Sequence, residues 1–431
     1  MLETIKNAWK VEDLRKKILF TLMIILIYRI GSAIPVPFLD SSVLGEFFQS
    51  GSFLGYLDIL SGGAFKDATI FALSISPYIT SSIVIQLLTV AIPALEALSK
   101  EGADGRKTLN KITRYTTVGL ALLQSVAYYL MNRNYGAVKY VDGFSGVFSA
   151  LCIIFSFSAG ALMIVWLGEQ VDKQGIGSGI SMILFAGIIS RAPASLNMLL
   201  QYWELASKGG QTQYYVLVPL VVVLFGLVIA GIVVMTNAER RIPVQYAKRV
   251  VGRKMYGGQS SYIPIKVTMS GVMPIIFASS ILSIPSMVRN FIDPGKERLI
   301  GKILGVFDYN TWFYAVLYLF LIIAFNYFYV AIQYNPTEMA NNLRKNNGAV
   351  PGIRPGKPTS DFIEKIISKI TLVGALFIAA IAILPIMLGN IASMNIALGG
   401  TSIIIVVGVA LDTVRQLESQ MMMRHYKGFL E

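Results

Sequence analysis

The sequence predicts an all-α integral membrane protein with ten transmembrane helices, arranged in two inverted five-helix halves. Of its 431 residues, 55% are hydrophobic and only 14% are charged. That is more apolar surface than a soluble core of this size could bury. Apolar stretches of membrane-spanning length recur along the chain, and Lys and Arg are concentrated in alternate connections. The chain therefore requires lipid as its solvent.

Ten apolar stretches are near the length needed to cross about 30 Å of hydrocarbon. They lie at roughly 18–34, 69–92, 112–131, 147–168, 179–200, 214–236, 268–290, 312–333, 369–388 and 399–417. Because ten is an even number, we expect both termini on the same side of the membrane. Five crossings followed by five more insert in opposite orientations, as inverted repeats do, so the predicted halves are 1–200 and 201–431. Such symmetry indicates a central pathway where the halves meet.

The distribution of basic residues indicates which side the termini occupy. Five Lys and Arg precede the first stretch, seven lie in 237–267 and five in 334–368, whereas 35–68 holds one and 389–398 none. This asymmetry places both termini, 237–267 and 334–368 in the cytoplasm. The two cytoplasmic connections are long, basic and rich in glycine and proline. We interpret them as docking surfaces.

Catalytic and metal-binding chemistry has few residues available to it. Cys152 is the only cysteine and lies in an apolar run, and His425 is the only histidine and lies in the polar C-terminal tail. This composition excludes a disulfide framework, a zinc cluster and a histidine-activated nucleophile. The stretches also offer no paired carboxylates that would suit an intramembrane protease or transferase. We therefore predict that the protein is not an enzyme and uses no cofactor or metal.

The connection between Ile34 and Thr69 is too long for a tight turn and too apolar for a solvated linker. Its portion from Phe53 to Phe65 is too short to span the bilayer and ends near a flexible Gly62-Gly63 pair. Two interpretations remain open. The portion is either an interfacial helix lying flat on the membrane or a re-entrant element that folds back into a protein-lined cavity.

The second stretch has polar groups and a proline within the membrane. Pro77 removes a backbone donor there, which predicts a kinked helix that partly faces a cavity. Ile75, Ile79 and Ile83 recur every four residues and share one face of that helix. Such a stripe can face lipid, a neighbouring helix or a pathway.

Glycine and proline interrupt other stretches in both halves. The fifth stretch follows a glycine-rich turn at 175–179 and repeats the four-residue spacing with Ile180 and Leu184. The seventh contains Gly271, Pro274 and Ile276, and the tenth begins with glycines ahead of Ile403, Ile404 and Ile405. Broken helices of this kind are typical of membrane proteins with a central pathway, channels and secondary transporters alike.

Ionisable residues within the stretches are few, chiefly Arg29, Arg191 and Asp412, and none is evidently central. A proton- or ion-coupled secondary transporter usually places such residues near the midplane. A secondary transporter of a small solute is therefore an alternative that these residues do not favour.

Several long stretches of the sequence are specific to one family. They read YRIGSAIPVP at 28–37, SGGAFKDATIFAL at 61–73, PYITSSIVIQLL at 77–88, WLGEQVDKQGIGSGISMILFAGI at 166–188, YAKRVVGR at 246–253, NPTEMANNLRKNNGAVPGIRPG at 335–356 and ITLVGALF at 370–377. Over almost its full length the chain resembles the SecY family, the channel-forming subunit of the bacterial Sec protein translocase. The resemblance implies a channel around a central pore that passes unfolded secretory polypeptides across the membrane and releases apolar segments laterally into lipid.

The resemblance also implies roles for individual residues. A plug at about 55–66 would seal the resting channel, a ring of bulky apolar side chains would form its constriction, and a lateral gate would open toward lipid. The plug residues are Leu57, Ile59, Leu60, Ser61, Gly62, Gly63 and Ala64. The ring residues are Ile75, Ile79, Ile180, Leu184, Ile276 and Ile405. The gate residues are Thr80, Ile83 and Gln86.

Partners and location follow from the same resemblance. Lys248, Arg249 and Arg354 would contact the SecA motor ATPase or the ribosome. SecE and SecG would be companion membrane subunits, with signal peptides, unfolded polypeptides and anionic lipids as further partners. The location would be the bacterial cell membrane, with both termini cytoplasmic.

Two positions depart from the family pattern. Phe38 and Ser74 occupy positions where the family commonly has glycine. We therefore expect the first external turn and the upper part of the gate to be shaped differently here.

Overall fold

The computed structural model describes residues 2–40, 58, 61–208, 213–246, 249–251, 254–256, 260–292, 305–307, 311–392 and 400–427. Helices dominate these residues. In chain order they are α1 (Leu2–Lys10), α2 (Glu12–Gly31), α3 (Ser76–Ala91), α4 (Pro93–Lys100), α5 (Ala103–Asn134), α6 (Gly143–Gln174), α7 (Gly179–Ser190), α8 (Ala192–Lys208), α9 (Tyr214–Asn237), α10 (Met273–Ile292), α11 (Trp312–Gln333), α12 (Pro336–Lys345), α13 (Lys357–Ala392) and α14 (Gly400–Lys427).

The predicted fold class, an all-α membrane protein, is confirmed. Six helices of the described part of the chain are long and apolar enough to cross a membrane, and a seventh is added if the bent pair α3 and α4 counts as one span. Each of the ten predicted stretches overlaps at least one of the helices above. The number of crossings stays a prediction.

The chain forms two compact units. The first comprises Met1–Val222, Ser283–Tyr314 and Pro385–Glu431, and the second comprises Val223–Leu282 and Ala315–Leu384. These units are defined by contacts, whereas the predicted halves 1–200 and 201–431 describe a repeat symmetry. The division into inverted halves therefore stays a prediction.

Close helix packing builds the first unit. Helix α5 packs against both α3 and α6. The Ser81 hydroxyl donates to the Thr113 carbonyl at 2.7 Å, and the Ser158 hydroxyl bonds the Ser125 hydroxyl at 2.8 Å. Gly160 lies directly against the Ile70 carbonyl, with no room for a Cβ atom. Small and hydroxyl-bearing residues thus let neighbouring backbones approach one another, as is usual in membrane helix bundles.

The expected kink at Pro77 is wrong. Residues 61–75 form a series of turns, and α3 begins only at Ser76, so Pro77 lies in the first helical turn. A proline there costs no hydrogen bond, because the first turn's amides have no helical partner. The sharp bend, 101°, occurs instead between α3 and α4, where Ile92 precedes Pro93 and is extended.

The second unit contains a small antiparallel sheet that the sequence analysis did not predict. Its strands are β1 (Glu239–Tyr246), β4 (Ser260–Lys266) and β5 (Gly348–Ala349), in the order β4-β1-β5. The short strands β2 (Arg249–Val251) and β3 (Lys254–Tyr256) pair separately. Strand β1 belongs to the basic connection 237–267 and β5 to 334–368, so one sheet joins the two connections.

Alternating burial attaches this sheet to the helices of the second unit. Ile242 and Val244 on β1 are buried, and β4 contributes the buried Ile265. They share one apolar cluster with Val330 of α11 and Ile363 of α13. Each such buried side chain contributes about 1.5–3 kcal/mol, so the cluster fixes the sheet to the helices.

The contact at Gly160 gives a stability prediction. Gly160→Ala places a methyl group against the Ile70 carbonyl, and we expect it to lower the free energy of unfolding by about 1–3 kcal/mol. The thermal midpoint of the detergent-purified protein measures the loss. The matched control is Gly119→Ala, also within a helix, where a Cβ atom meets nothing within 4 Å. Equal midpoints for the two variants would contradict the packing described.

Candidate functional site

The described part of the predicted plug is a compact set of turns built on Asp58. The Gly63 amide donates to the Asp58 carbonyl at 2.9 Å, and the Ser61 hydroxyl donates to the same carbonyl at 3.0 Å. The Ser61 oxygen also accepts from the Phe65 amide at 3.0 Å. Gly62 and Gly63 have φ of 68° and 97°, in the left-handed region that favours glycine. The two glycines are therefore needed for the turn itself.

Side chains of α2 and α7 form hydrogen bonds to this turn. The Tyr28 hydroxyl donates to the Ser61 carbonyl at 3.2 Å. Arg29 Nη1 and Ser190 Oγ each lie 3.4 Å from the Gly62 carbonyl and donate to it. Backbone groups that the turn leaves without partners are thus satisfied by protein, which is the condition for irregular backbone at membrane depth.

Aromatic side chains of α5 and α6 also contact the turn or pack next to it. The Tyr128 hydroxyl of α5 donates to the Phe65 carbonyl at 2.5 Å. The Phe65 and Tyr128 rings lie 4.5 Å apart, and the Tyr128 and Phe157 rings 4.9 Å apart, centroid to centroid. Thr69 reinforces the contact, because its hydroxyl donates to the Ala64 carbonyl at 3.2 Å. The turn is therefore wedged between α2, α5 and α7.

The burial of the turn bears on the two interpretations left open for this connection, and both stay predictions. Ser61 and Ala64 are each 1% exposed, and Gly63 is also buried. Such burial favours a re-entrant element over a helix lying flat on the membrane surface. Leu57, Ile59 and Leu60 lie outside the described residues, so the assignment of the whole plug stays a prediction.

Four of the five ring candidates of the first unit lie on three helices, and the fifth immediately precedes one of them. Ile75 precedes α3 and Ile79 lies on it, Ile180 and Leu184 lie on α7, and Ile405 lies on α14. Helices α7 and α14 pack together. Ile75, Leu184 and Ile405 are buried, whereas Ile79 and Ile180 are partly exposed. Ile276, on α10, belongs to the second unit and is partly exposed. The ring as a whole stays a prediction.

A glycine-rich turn positions the ring candidates of α7. Three side chains accept hydrogen bonds from its amides: Thr21 from Ile176 at 3.0 Å, Gln416 from Gly177 at 2.7 Å and Asp172 from Gly179 at 2.7 Å. These acceptors come from α2, α14 and α6. The glycines are evident in the sequence, whereas the acceptors are not, because they are distant along the chain or follow no standard capping spacing.

The lateral gate candidates lie on α3. Ile83 is buried, and the Thr80 hydroxyl donates to the Ser76 carbonyl of its own helix at 3.0 Å. Gln86 Oε1 is buried and has no hydrogen-bond partner among the described residues. A buried acceptor left in that state destabilises the arrangement that buries it. The gate assignment stays a prediction.

The basic candidates lie in the two connections joined by the sheet. Arg354 is exposed, and its carbonyl accepts from the Thr359 hydroxyl at 2.9 Å, which fixes the loop before α13. Lys248 lies outside the described residues. For Arg249 the structure describes the position at the start of β2 and not the side chain.

The two departures from the family pattern have a common backbone feature. Phe38 has a φ of 69° and Ser74 a φ of 49°, both in the left-handed region. The glycine that the resemblance implies at each position would adopt this conformation without strain. Ring contacts of Phe38 offset the strain of its backbone: its ring centroid lies 6.0 Å from that of Tyr140 and 6.3 Å from that of Phe148.

Comparison with solved structures defines the class of protein. The fold is similar to that in "The structure of a protein conducting channel", with a TM-score of 0.64, 18% identity and coverage of 94% of this chain and 92% of that one. It is also similar to "Sec61 in the Canine ribosome-channel complex from the endoplasmic reticulum", with a TM-score of 0.61, 17% identity and coverage of 94% and 92%. The fold is therefore that of the protein-conducting channels.

Sequence comparison defines the family. A family model described as SecY matches residues 69–414. The protein translocase subunit SecY of Streptomyces coelicolor is 43% identical over 451 aligned positions, and that of Mycobacterium tuberculosis 39% identical over 453, each covering 100% of both chains. The chain belongs to the SecY family, and the predicted resemblance is confirmed.

The strained backbone at Ser74 gives the second prediction. Ser74→Gly removes the Cβ atom from a left-handed residue, so we expect it to raise the free energy of unfolding by about 1 kcal/mol. The control is Ser76→Gly, because Ser76 lies in α3 and glycine weakens a helix. Thermal midpoints measure both variants. A loss for Ser74→Gly as large as that for Ser76→Gly would contradict the assignment of strain.

Proposed function

We propose that this chain is the channel subunit of a bacterial protein translocase, which passes unfolded secretory polypeptides across the membrane and releases apolar segments laterally into lipid. The observation that carries the proposal is the match to SecY translocase subunits over the full length of both chains, at up to 43% identity. The secondary transporter alternative finds no support in these relatives. The proposed location is the cell membrane, with both termini in the cytoplasm.

The burial of the turn supports its assignment to a plug that closes the channel. The Gly62-Gly63 turn is held by hydrogen bonds and aromatic contacts, and no covalent crosslink holds it, since the chain has a single cysteine. Each such hydrogen bond contributes only about 1 kcal/mol net, so the contacts can be exchanged for others when a polypeptide enters. This combination suits a segment that seals the resting channel and moves aside.

The ring candidates suit an apolar constriction that closes around a passing polypeptide. A narrow collar of isoleucine and leucine is poorly wetted and strongly penalises ions. These side chains form no directional bonds, so they can yield around a passing chain of any sequence. In this proposal Ile75, Ile79, Ile180, Leu184, Ile276 and Ile405 form the collar.

The gate candidates suit lateral release. An apolar segment of about 20 residues lowers its free energy by leaving an aqueous path for lipid. We assign Thr80, Ile83 and Gln86 of α3 to the side of the channel that opens. Gln86 Oε1, which has no partner within the described part of the chain, supports the assignment, because opening would expose it to water or to a new partner.

The two basic connections, which the sheet joins, are suited to bind a partner that supplies the energy for transport. The chain contains no phosphate-binding GxxxxGK[ST] motif, so the proposal assigns the work to a partner, the SecA motor or the ribosome. Strand β1 pairs with β5 through Gln245 and Tyr246, which joins connections about 100 residues apart. Cations such as Arg249 and Arg354 would attract acidic proteins, ribosomal RNA and anionic lipids. SecE and SecG complete the proposed membrane complex.

The ring assignment predicts an ion leak. We expect Ile79→Gly combined with Ile276→Gly to raise resting conductance in planar bilayers about tenfold or more, because the collar becomes wider and wetter. The matched control is Val84→Gly combined with Ile281→Gly, which alters exposed residues of the same two helices. Unchanged conductance, or an equal rise in the control, would count against the ring.

The function itself is tested by reconstitution with SecE and SecA in vesicles. We expect a signal-bearing precursor to become protected from added protease when ATP is present. Arg354→Glu should reduce this protection at least about tenfold by repelling an acidic partner surface, whereas Lys345→Glu, the same charge change on the same connection, should retain it. Absence of protection with the unaltered chain would refute the proposed function, and normal transport by Arg354→Glu would remove that residue's role.

A further inference from the structure

One ion pair ties the buried turn to the end of α7. Asp58 is the only charged residue between Phe53 and Phe65, and its Oδ2 accepts from Nη2 of Arg191, the residue that follows α7. The side chains are 9% and 24% exposed, respectively. Charges this far removed from water are stable only when paired, and loss of one partner leaves the other buried and uncompensated.

Asp58 uses its second oxygen to shape the turn. Oδ1 accepts from the Lys66 amide at 2.8 Å, so the carboxylate closes the segment 58–66 on itself while Oδ2 attaches it to Arg191. The shape of the turn and its attachment to α7 therefore depend on a single side chain. Helix α7 also carries the ring candidates Ile180 and Leu184, which links the turn to the proposed collar.

A second cation faces the same turn. Arg29 Nη1 donates to the Gly62 carbonyl, and the Arg191 guanidinium lies against Gly63, where a Cβ atom would come within 3.1 Å of its Cζ. Of these side chains two carry positive charge and one, Asp58, carries negative charge. Neutralising Asp58 therefore removes the attraction to Arg191 and leaves the repulsion between the two arginines uncompensated at the turn.

The ion pair is incompletely satisfied. Arg191 Nε is buried and has no hydrogen-bond partner among the described residues. A buried donor without a partner lowers the net stability of the arrangement that buries it. The contact that holds the turn is therefore less stable than a fully hydrogen-bonded ion pair would be.

We propose that Asp58 and Arg191 form an electrostatic latch that keeps the plug seated and sets the threshold at which a signal peptide opens the channel. The inference rests on the proposed function, which identifies the segment as a plug and the protein as a channel. The latch itself, an ion pair whose loss frees segment 61–73 from α7, stands independently of transport.

Hydrogen exchange measured by mass spectrometry tests the latch directly on the full-length chain with its companion subunits. Asp58→Asn keeps an oxygen for the Lys66 amide and loses the charge. We expect amides of 61–73 to exchange about tenfold faster, because charge-assisted bonds are the strong ones. Asp67→Asn, the same change at an exposed acid of the segment, should exchange like the unaltered chain. Equal exchange in Asp58→Asn and Asp67→Asn would overturn the latch.

A double-mutant cycle separates the ion pair from a general loss of fold. Arg191→Gln should accelerate exchange as Asp58→Asn does, and the double variant should be no faster than either single variant, since both remove one interaction. Arg191→Lys should restore part of the protection. If the exchange rate of the double variant rises by the product of the two single effects, the pairing is overturned. Faster exchange throughout the chain would also overturn it.

The functional consequence is measured in the same vesicles. Asp58→Asn should raise resting conductance and translocate a precursor with a less apolar signal several-fold faster than the unaltered chain. If exchange accelerates while conductance and signal dependence stay unchanged, the latch exists and does not set the threshold. If the unaltered chain moves no precursor, the proposed function fails while the exchange result still judges the ion pair.

Discussion

The structure depends on one constraint: irregular backbone placed inside a membrane protein must have its amides and carbonyls satisfied by the protein itself. Residues 61–75 form turns instead of a helix, so their polar groups need external partners. Tyr28, Arg29, Tyr128 and Ser190 supply them from three different helices. The same solution recurs at the glycine-rich turn 175–179, where side chains of three helices accept the amides. Each irregular element thereby connects helices that are distant in sequence.

Sequence patterns were sufficient for the features governed by local composition. Long apolar runs identify the helices, because a bilayer leaves few alternatives for such segments. The Gly62-Gly63 pair indicated a flexible point in the backbone, and both residues have positive φ. Pro77 shows the limit of this reasoning, since a proline kinks a helix or starts one depending on where the preceding turns end. That end is fixed by tertiary contacts, among them the bridge between Pro35 and Thr69.

Features that depend on distant partners could not be read from the sequence. Arg191 was recognised as an ionisable residue within a stretch, but its partner Asp58 lies 133 positions away. The sheet was missed because β1 pairs with β4 across a connection rich in charges, and β5 is only two residues long. For ring and gate residues, periodicity showed which side chains share a helix face and not which surface that face meets.

The pairing of β1 with β5 has a mechanical consequence. Strand β1 follows α9 almost directly, and β5 lies between α12 and α13. The apolar cluster around Ile242 and Ile363 makes the sheet and the start of α13 one body. A partner bound to the sheet would therefore act on the end of α9 and the start of α13 at once.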